Sequence, residues 1–288
     1  LASSVSNAGG LGLIGAGSMY PEILREHIIK CKAATNKPFG VNLPLLYPDI
    51  DKHINIIIEE GIKIVFTSAG NPAKFTPLLK ENGIKVVHVT SNLKFAKKSE
   101  EVGVDAVVSE GFEAGGHNGK EELTTMCLIP LVKNEISIPL ISAGGIGSGR
   151  AMLAAMSLGA DGVQIGSRFA ASKESSAHIN FKNKIVEAKD NSTMLSLKKL
   201  TAVRLMKNSF YDKIVEAQNR GASVEELREL LGRARAKRGM FEGDMKEGEL
   251  EIGQVSATIN AVMPVKDIID EIMLEFNKEK QKLLNLKF

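Results

Sequence analysis

A chain of 288 residues, 43% hydrophobic and 25% charged, is long enough to bury a substantial core in one domain or two. Its formal net charge of +3 is too small to argue for nucleic acid, no apolar run reaches the roughly 18 residues of a membrane span, and no signal peptide is recognisable. The two cysteines, Cys31 and Cys127, stand far apart in helical patterns, which excludes a disulfide framework or a metal cluster and makes a reducing cytoplasm the default.

Helix and strand patterns alternate from the start. Residues 1–7 read as helix and 11–15 as a short apolar run bounded by glycines. Residues 21–34 have helical spacing, with Pro21 suited to a first turn. A strand at 39–42 precedes a helix at 50–60 with Ile54, Ile57 and Ile58 on one face. A strand at 63–67 precedes a helix at 73–82 that Gly83 closes as a C-cap. Strand 85–89 and helix 93–102 follow, then strand 106–108, helix 125–134, strand 140–142, helix 150–158 and strand 162–165. These short Val- and Ile-rich strands are buried on both faces, as in a parallel sheet with helical crossovers.

The repeat predicts a (β/α)8 TIM barrel rather than an open doubly-wound sheet, because the loops suspected of function all follow strand C-ends. Leu1 opens inside a helical pattern without an initiator Met, so the first strand is expected upstream of it. After Phe169 the alternation stops. Helices are predicted at 181–189, 211–219 and 224–237, the last with a capping box of Ser223 and Glu226, and at 265–284 after a glycine-punctuated acidic segment, 242–254. The organisation expected is a barrel core over 1–170, a helical cap over 171–254, and C-terminal helices over 255–288 that close the barrel.

Function concentrates in residues 109–119, Ser-Glu-Gly-Phe-Glu-Ala-Gly-Gly-His-Asn-Gly. Four glycines in so short a span predict a loop, in which bare backbone can approach a ligand. His117 within it can carry or accept a proton near neutral pH. Two more glycine sites sit at late strand ends: Ser142-Ala143-Gly144-Gly145, and Gly166-Ser167. Barrels commonly hold a phosphate with these two loops and a helix N-terminus, and Ser167 adds a hydroxyl donor. Asn42 ends an early strand and Gln164 lies in a late one. Their amides suit the edge of a flat heterocycle, although each can equally be a satisfied core amide. FMN has the required shape, a phosphate tail and a flat ring; a sugar phosphate on a flavin-free lyase or isomerase shares the phosphate requirement.

The stretches Glu110-Gly-Phe-Glu-Ala-Gly-Gly-His117-Asn-Gly, Ser142-Ala-Gly-Gly-Ile146 and Gly162-Val-Gln-Ile-Gly-Ser-Arg-Phe169 resemble the FMN-dependent group that contains nitronate monooxygenases and enoyl-acyl-carrier-protein reductase II. The resemblance covers nearly the whole chain. Lys173-Glu174 to His178, and Glu242-Gly-Asp244 leading to Gly253-Gln254, look more like the enoyl reductase branch. The resemblance implies FMN as cofactor, NADH or NADPH as reductant, and an acyl-carrier-protein or acyl-CoA thioester as substrate. The alternative it leaves is oxidation of an alkyl nitronate with O2. It places His117 on the substrate side of the flavin ring, with Asn42, Glu110, Gly115, Gly116, Ser142, Gly144, Gly145, Gln164, Gly166 and Ser167 around the cofactor and no metal. It also implies fatty acid biosynthesis as the setting, hints at a homodimer, and implies an opening strand with a Gly-Gly-Met-type loop.

Among other residues, His27 and His53 are expected at the surface, His88 in the core or at the rim, and His178 in a structural turn. Arg233, Arg235, Lys237 and Arg238 form a basic cluster at a helix end, read as solvated dipole compensation or as a dock for an acidic carrier.

Overall fold

The computed structural model describes residues 1–17 and 19–286. Residues 18, 287 and 288, the last two within the predicted C-terminal segment, lie outside the described residues.

In chain order the elements are α1 (Ala2–Asn7), β1 (Gly12–Gly15), α2 (Pro21–Ala34), β2 (Phe39–Pro44), α3 (Ile50–Glu59), β3 (Ile64–Ser68), α4 (Thr76–Glu81), β4 (Lys85–Thr90), α5 (Leu93–Glu101) and β5 (Ala106–Glu110). Then come β6 (Gly116–His117), α6 (Thr125–Lys133), β7 (Leu140–Ala143), α7 (Gly149–Ser157), β8 (Gly162–Gln164), α8 (Ser167–Ala170), α9 (Ile179–Val186), β9 (Thr193–Ser196), β10 (Val203–Met206), α10 (Ser209–Asn219), α11 (Val224–Leu231) and α12 (Val265–Leu284).

Seven strands pair in parallel in the order β1-β2-β3-β4-β5-β7-β8, a curled sheet of TIM-barrel type wrapped in helices. Strand alternation separates two cores. Val41, Leu43, Val65, Val86, Val107 and Leu140 point outward and pack with Leu24, Ile28, Ile57 and Leu128 of the helices. Phe66, Val87, Ala106, Val108 and Ala143 point inward and pack with one another. Among the described residues no strand pairs with the outer edge of β1 or β8. The helical ring is nonetheless continuous there, because α12 packs on both α7 and α1. Gly149 permits this, since a Cβ on it would lie 2.3 Å from Ile272 O.

At the N-terminal end of the strands two aspartates repeat one device. Asp105, just before β5, accepts from Val86 N at 2.9 Å and from Lys80 and Lys85 at 3.1 Å. Asp161, just before β8, accepts from Leu140 N at 2.9 Å and Lys133 at 2.8 Å. Each carboxylate locks one strand start to its neighbour, leaving the opposite end of the barrel for chemistry.

Three expectations change. The helix predicted over 73–82 breaks at Phe75 (φ −122°) into a 3-10 turn, Pro72–Lys74, and α4. The helix predicted over 224–237 stops at Gly232 (φ 64°), with Ala234 also left-handed. The segment 171–254, expected to be helical, also carries the antiparallel hairpin β9–β10, on whose free edge β6 pairs. Strands of four residues are too short to declare a period.

Candidate active site

Strand register places three predicted polar residues on the inner face. Asn42 pairs with Phe66 of the inner core. Glu110, the last residue of β5 rather than part of the loop, pairs with Ala143, which pairs with Gln164. All three are half-buried at the C-terminal ends of their strands. Although Glu110 as a whole residue is half-buried, its carboxyl is withdrawn from water, and that burial pushes it up to about 7. Glycines 15 and 166 would each carry a Cβ into open space, so this rim is bare on the side where a ligand would lie.

The raised Glu110 value carries a sign. The folded chain holds a proton that the unfolded chain, at 4.5, has already lost, so stability falls as pH rises from 4.5 through about 7. Glu110→Gln removes that loss. Its Tm advantage over the wild type should therefore grow between about pH 5 and about pH 8; a constant difference would count against a buried, titrating carboxyl.

The other glycines also serve packing. Gly144 (φ 91°) lets the loop after β7 pack onto the loop after β5, since a Cβ would meet Gly111 O at 2.6 Å. A Cβ on Gly145 would lie 3.5 Å from Glu113. Gly115 packs against the chain at 252–253, where a Cβ would meet Ile252 C at 2.4 Å. The α7 N-terminus, part of the predicted phosphate cradle, is already engaged. Ser148 Oγ accepts from Ala151 N at 3.2 Å, and Glu275 of α12 accepts from Gly149 N at 2.8 Å and Arg150 N at 3.3 Å. The backbone of the loop after β7 at Gly144 and Gly145, and that at Gly166 and the start of α8, flank the mouth at successive strand ends.

Ser142 faces outward, in register with Ser109, with its hydroxyl buried and without a hydrogen-bond partner. Only its backbone borders the mouth. Ser167 Oγ accepts from Gly253 N at 2.9 Å and keeps its own proton for donation. Glu113 turns to the start of α6. Its carboxylate accepts from Thr125 N at 3.0 Å and Thr125 Oγ1 at 3.2 Å, at the start of α6.

His117 is exposed and sits on a ladder rather than in free loop, opposite Val203 in β10. Asn118 fixes the approach, its amide donating to Ala114 O and Gly116 O at 3.0 Å and its N–H to Ala202 O at 2.8 Å. The imidazole is two residues along from Gly115, which packs against Gly253, which bonds to Ser167. His117 and the β8 rim are thus joined through the 252–254 segment, whose Gln254 N also donates to Glu113 O at 2.9 Å.

Sequence reasoning missed Arg204 and Glu251. Arg204 is 2% exposed, donates through Nε and Nη2 to Phe112 O at 3.1 and 2.8 Å, and stacks 5.0 Å from the Phe112 ring. It bolts the cap to the loop after β5. Nothing in a four-residue strand marks its arginine as buried; the acidic segment that holds Glu251 was visible, but not what it packs against.

His53 is a correction: it is buried, with Nδ1 3.0 Å from Asp49 O and Nε2 2.9 Å from Met19 O. Whichever ring nitrogen carries the proton donates to a backbone carbonyl, an arrangement that hydropathy spacing cannot foresee. His27 is exposed, and His178 caps α9 by accepting from Asn180 N. His88 is buried 2.7 Å from Thr67 Oγ1, and burial pushes it down to about 4. The basic cluster is mostly spent internally. Arg235 donates to Leu231 O and Glu247 O and stacks on Phe210, Arg238 pairs with Asp244, and Lys237 pairs with Glu242, while Arg233 is exposed. Among the described residues no three His, Cys, Asp or Glu side chains converge as a metal site, and no helix is long and apolar enough to cross a membrane.

A family model described as nitronate monooxygenase matches residues 1–275. The chain belongs to the nitronate monooxygenase family. It is 33% identical over 241 residues, 68% of each chain, to a probable nitronate monooxygenase of Staphylococcus saprophyticus. It is 34% identical over 198 residues to a 5-hydroxy-7a-methyl-1-oxo-octahydro-1H-indene-4-carboxyl-CoA dehydrogenase of Rhodococcus jostii, spanning 69% of this chain but 56% of that one. The fold matches FabK from Thermotoga maritima with a TM-score of 0.93 at 42% identity, covering 98% of this chain and 89% of FabK. The nitronate monooxygenase family is one of oxidoreductases that, as a group, depend on FMN.

Proposed function

We propose that this chain is an FMN-dependent enoyl-thioester reductase, taking reducing equivalents from NADH or NADPH and acting on an acyl-carrier-protein or acyl-CoA substrate in the cytoplasm. The observation that carries the reading is the joining of His117, through Gly115 and Gly253, to a rim that presents Asn42, Glu110 and Gln164 inward. The rim suits the cofactor: glycines 15 and 166 front open space where a flat ring and phosphate need room, and amides and a carboxyl stand at its edge. Gly166 and Ser167 would hold the phosphate, and Asn42, Glu110 and Gln164 the ring edge. Bound there, FMN would accept hydride from the nicotinamide and deliver it to the β-carbon of the enoyl group.

The chain's own part is polarisation and proton supply. His117, exposed toward substrate, hydrogen-bonds the thioester carbonyl as enolate charge develops, or gives the proton that completes the α-carbon. The likeness to FabK, the enoyl reductase II relative, over 98% of the chain supports this branch, as does a relative whose named substrate is a CoA thioester.

A second reading, oxidation of alkyl nitronates with O2, is supported by the family description and the Staphylococcus relative. There His117 serves as the base toward an acidic α-proton. One paired assay separates them: anaerobic NAD(P)H oxidation with crotonyl thioester, and aerobic oxygen uptake with a nitronate. Thioester-dependent oxidation without nitronate-dependent oxygen uptake is expected; the reverse would replace the first reading with the second. Arg233 is the one cluster residue without an internal role described above, so docking of an acidic carrier through that cluster predicts that reversing its charge weakens carrier-linked substrate more than CoA-linked substrate.

A further inference from the structure

Helix α5 carries charge where a helix gains nothing from it. Lys94 stands in its first turn, which holds no acidic residue, while Glu100 and Glu101 stand at its end. The backbone dipoles favour the reverse order, so helix stability does not account for that lysine. The helix start is already capped, because Asn92 Oδ1 accepts from Phe95 N at 2.9 Å. Phe95 itself is 49% exposed, with Lys94 beside it and Lys98 three positions on, one turn along the same helix. A large ring left in water among cations is a mark of contact with something else.

The acids nearby are engaged elsewhere. Glu100 accepts from Ser137 N and Oγ at 2.7 and 2.6 Å, and Glu135 pairs with Lys97 at 2.9 Å. Glu121 accepts from Asn92 Nδ2 at 2.8 Å, and Glu122 pairs with Lys198. Exposed Glu101 is the acid left on α5, about 10 Å along the axis from Lys94. Lys94, Lys98 and Lys120 are exposed and enter no ion pair among the described residues. The patch also joins the barrel mouth. A Cβ on Gly119 would lie 2.3 Å from Ser91 Cβ, and the bond from Asn92 to Glu121 ties down the turn that follows. One continuous surface therefore runs from exposed His117 through Gly119 to Ser91 and on to Phe95.

We propose that Phe95, with Lys94, Lys98 and Lys120, is the docking surface for an acidic carrier protein that presents the enoyl thioester at the mouth beside His117. This rests on the reading of the chain as an enoyl-thioester reductase. Charge complementarity selects the partner. Three ammonium groups without internal partners attract and orient a surface rich in carboxylates. The exposed ring among them supplies the apolar anchor that a lasting contact needs. A free CoA thioester would engage the lysines through its phosphates and leave the ring without a purpose. A second copy of this chain, meeting the same patch across a two-fold axis, would set lysine against lysine.

The test is a binding titration in which a fluorescein-labelled acyl-carrier protein bearing a saturated butyryl chain is added to the FMN-loaded protein and followed by anisotropy. Combining Lys94→Glu, Lys98→Glu and Lys120→Glu should weaken binding about tenfold or more, because three attractions become repulsions. Phe95→Ser should weaken it while leaving its salt dependence unchanged. Arg233→Glu should leave it as it is. Turnover of crotonyl N-acetylcysteamine, a thioester with neither phosphate nor carrier, should be unchanged in every variant, which shows each of them folded. Equal binding by wild type and triple variant overturns the proposal, as does a loss confined to Arg233→Glu or an equal loss with the small thioester. An equal loss of kcat/KM for crotonyl-CoA overturns it too, since the lysines would then be reading phosphate. Carrier binding that the lysine reversals abolish, in a protein that reduces no enoyl thioester, would leave the docking surface standing and remove the reductase reading. Reduction of the small thioester by a protein that binds no carrier would do the opposite.

Discussion

Replacing His117 with Ala should lower turnover by about 10²- to 10⁴-fold, the range removed with a positioned acid–base group, while flavin absorbance per chain stays unchanged. The side chain is exposed and held by backbone pairing of β6 to β10, so its loss leaves the ladder intact and costs the fold little. The informative measurement separates two half-reactions in the stopped flow. Reduction of the bound flavin by NAD(P)H should keep its rate, because no step of it needs the imidazole. Reoxidation by enoyl thioester should take the whole loss. A variant slowed equally in both halves would place His117 in cofactor binding, and an unaffected one would remove it from the chemistry.

Gly115→Ala should be nearly as damaging for a different reason. The added methyl would lie 2.4 Å from Ile252 C and 2.5 Å from Gly253 N, backbone atoms that have no rotamer to escape into. Gly115 is not in the left-handed region, so the penalty is steric alone. Overpacking of this kind costs about 1–3 kcal/mol. Since 252–254 also bonds to Ser167 and Glu113, its displacement would move both the imidazole and the β8 rim. A clear fall in Tm with at least a tenfold loss of turnover is expected. Gly166→Ala is the matched contrast. Its methyl would enter open space, so Tm should hold while flavin affinity drops. If both alanines behave alike, the distinction between a packing glycine and a ligand-facing one is wrong.

Much of this architecture was legible because it repeats. The strands β2, β3, β4, β5, β7 and β8 declare themselves by composition and by the helices between them, and α12 has the bounds that its spacing predicts, Val265–Leu284. The inward turn of Asn42, Glu110 and Gln164 follows from alternation once the register is known, yet no spacing rule tells which parity faces in. Ser142 illustrates the limit: one position from Ala143, it falls on the other face. The cap was less legible because its sheet is made of pieces. A strand of two residues, Gly116–His117, and a lone bridge at Glu251 have no period, and their pairing depends on stretches far along the chain. For the same reason glycine content pointed to the right place with a mixed explanation. Glycines 115 and 144 are bare because another stretch of backbone lies on them, and glycines 15 and 166 because nothing does.

One edge of β10 is covered by two pieces of chain, β6 beside Val203 and Arg204 and the bridge at Glu251 beside Leu205, and this patchwork orders events during assembly. Its two covering pieces are separated by the whole of β7, β8 and the hairpin, so neither can settle until the barrel loops that carry them have been brought together. Contacts so remote in sequence come late, after the local strand–helix units have formed. The imidazole therefore reaches its station among the last parts of the molecule. A chain caught one step short of native would have its scaffold in place, its hairpin adrift, and no competence for turnover.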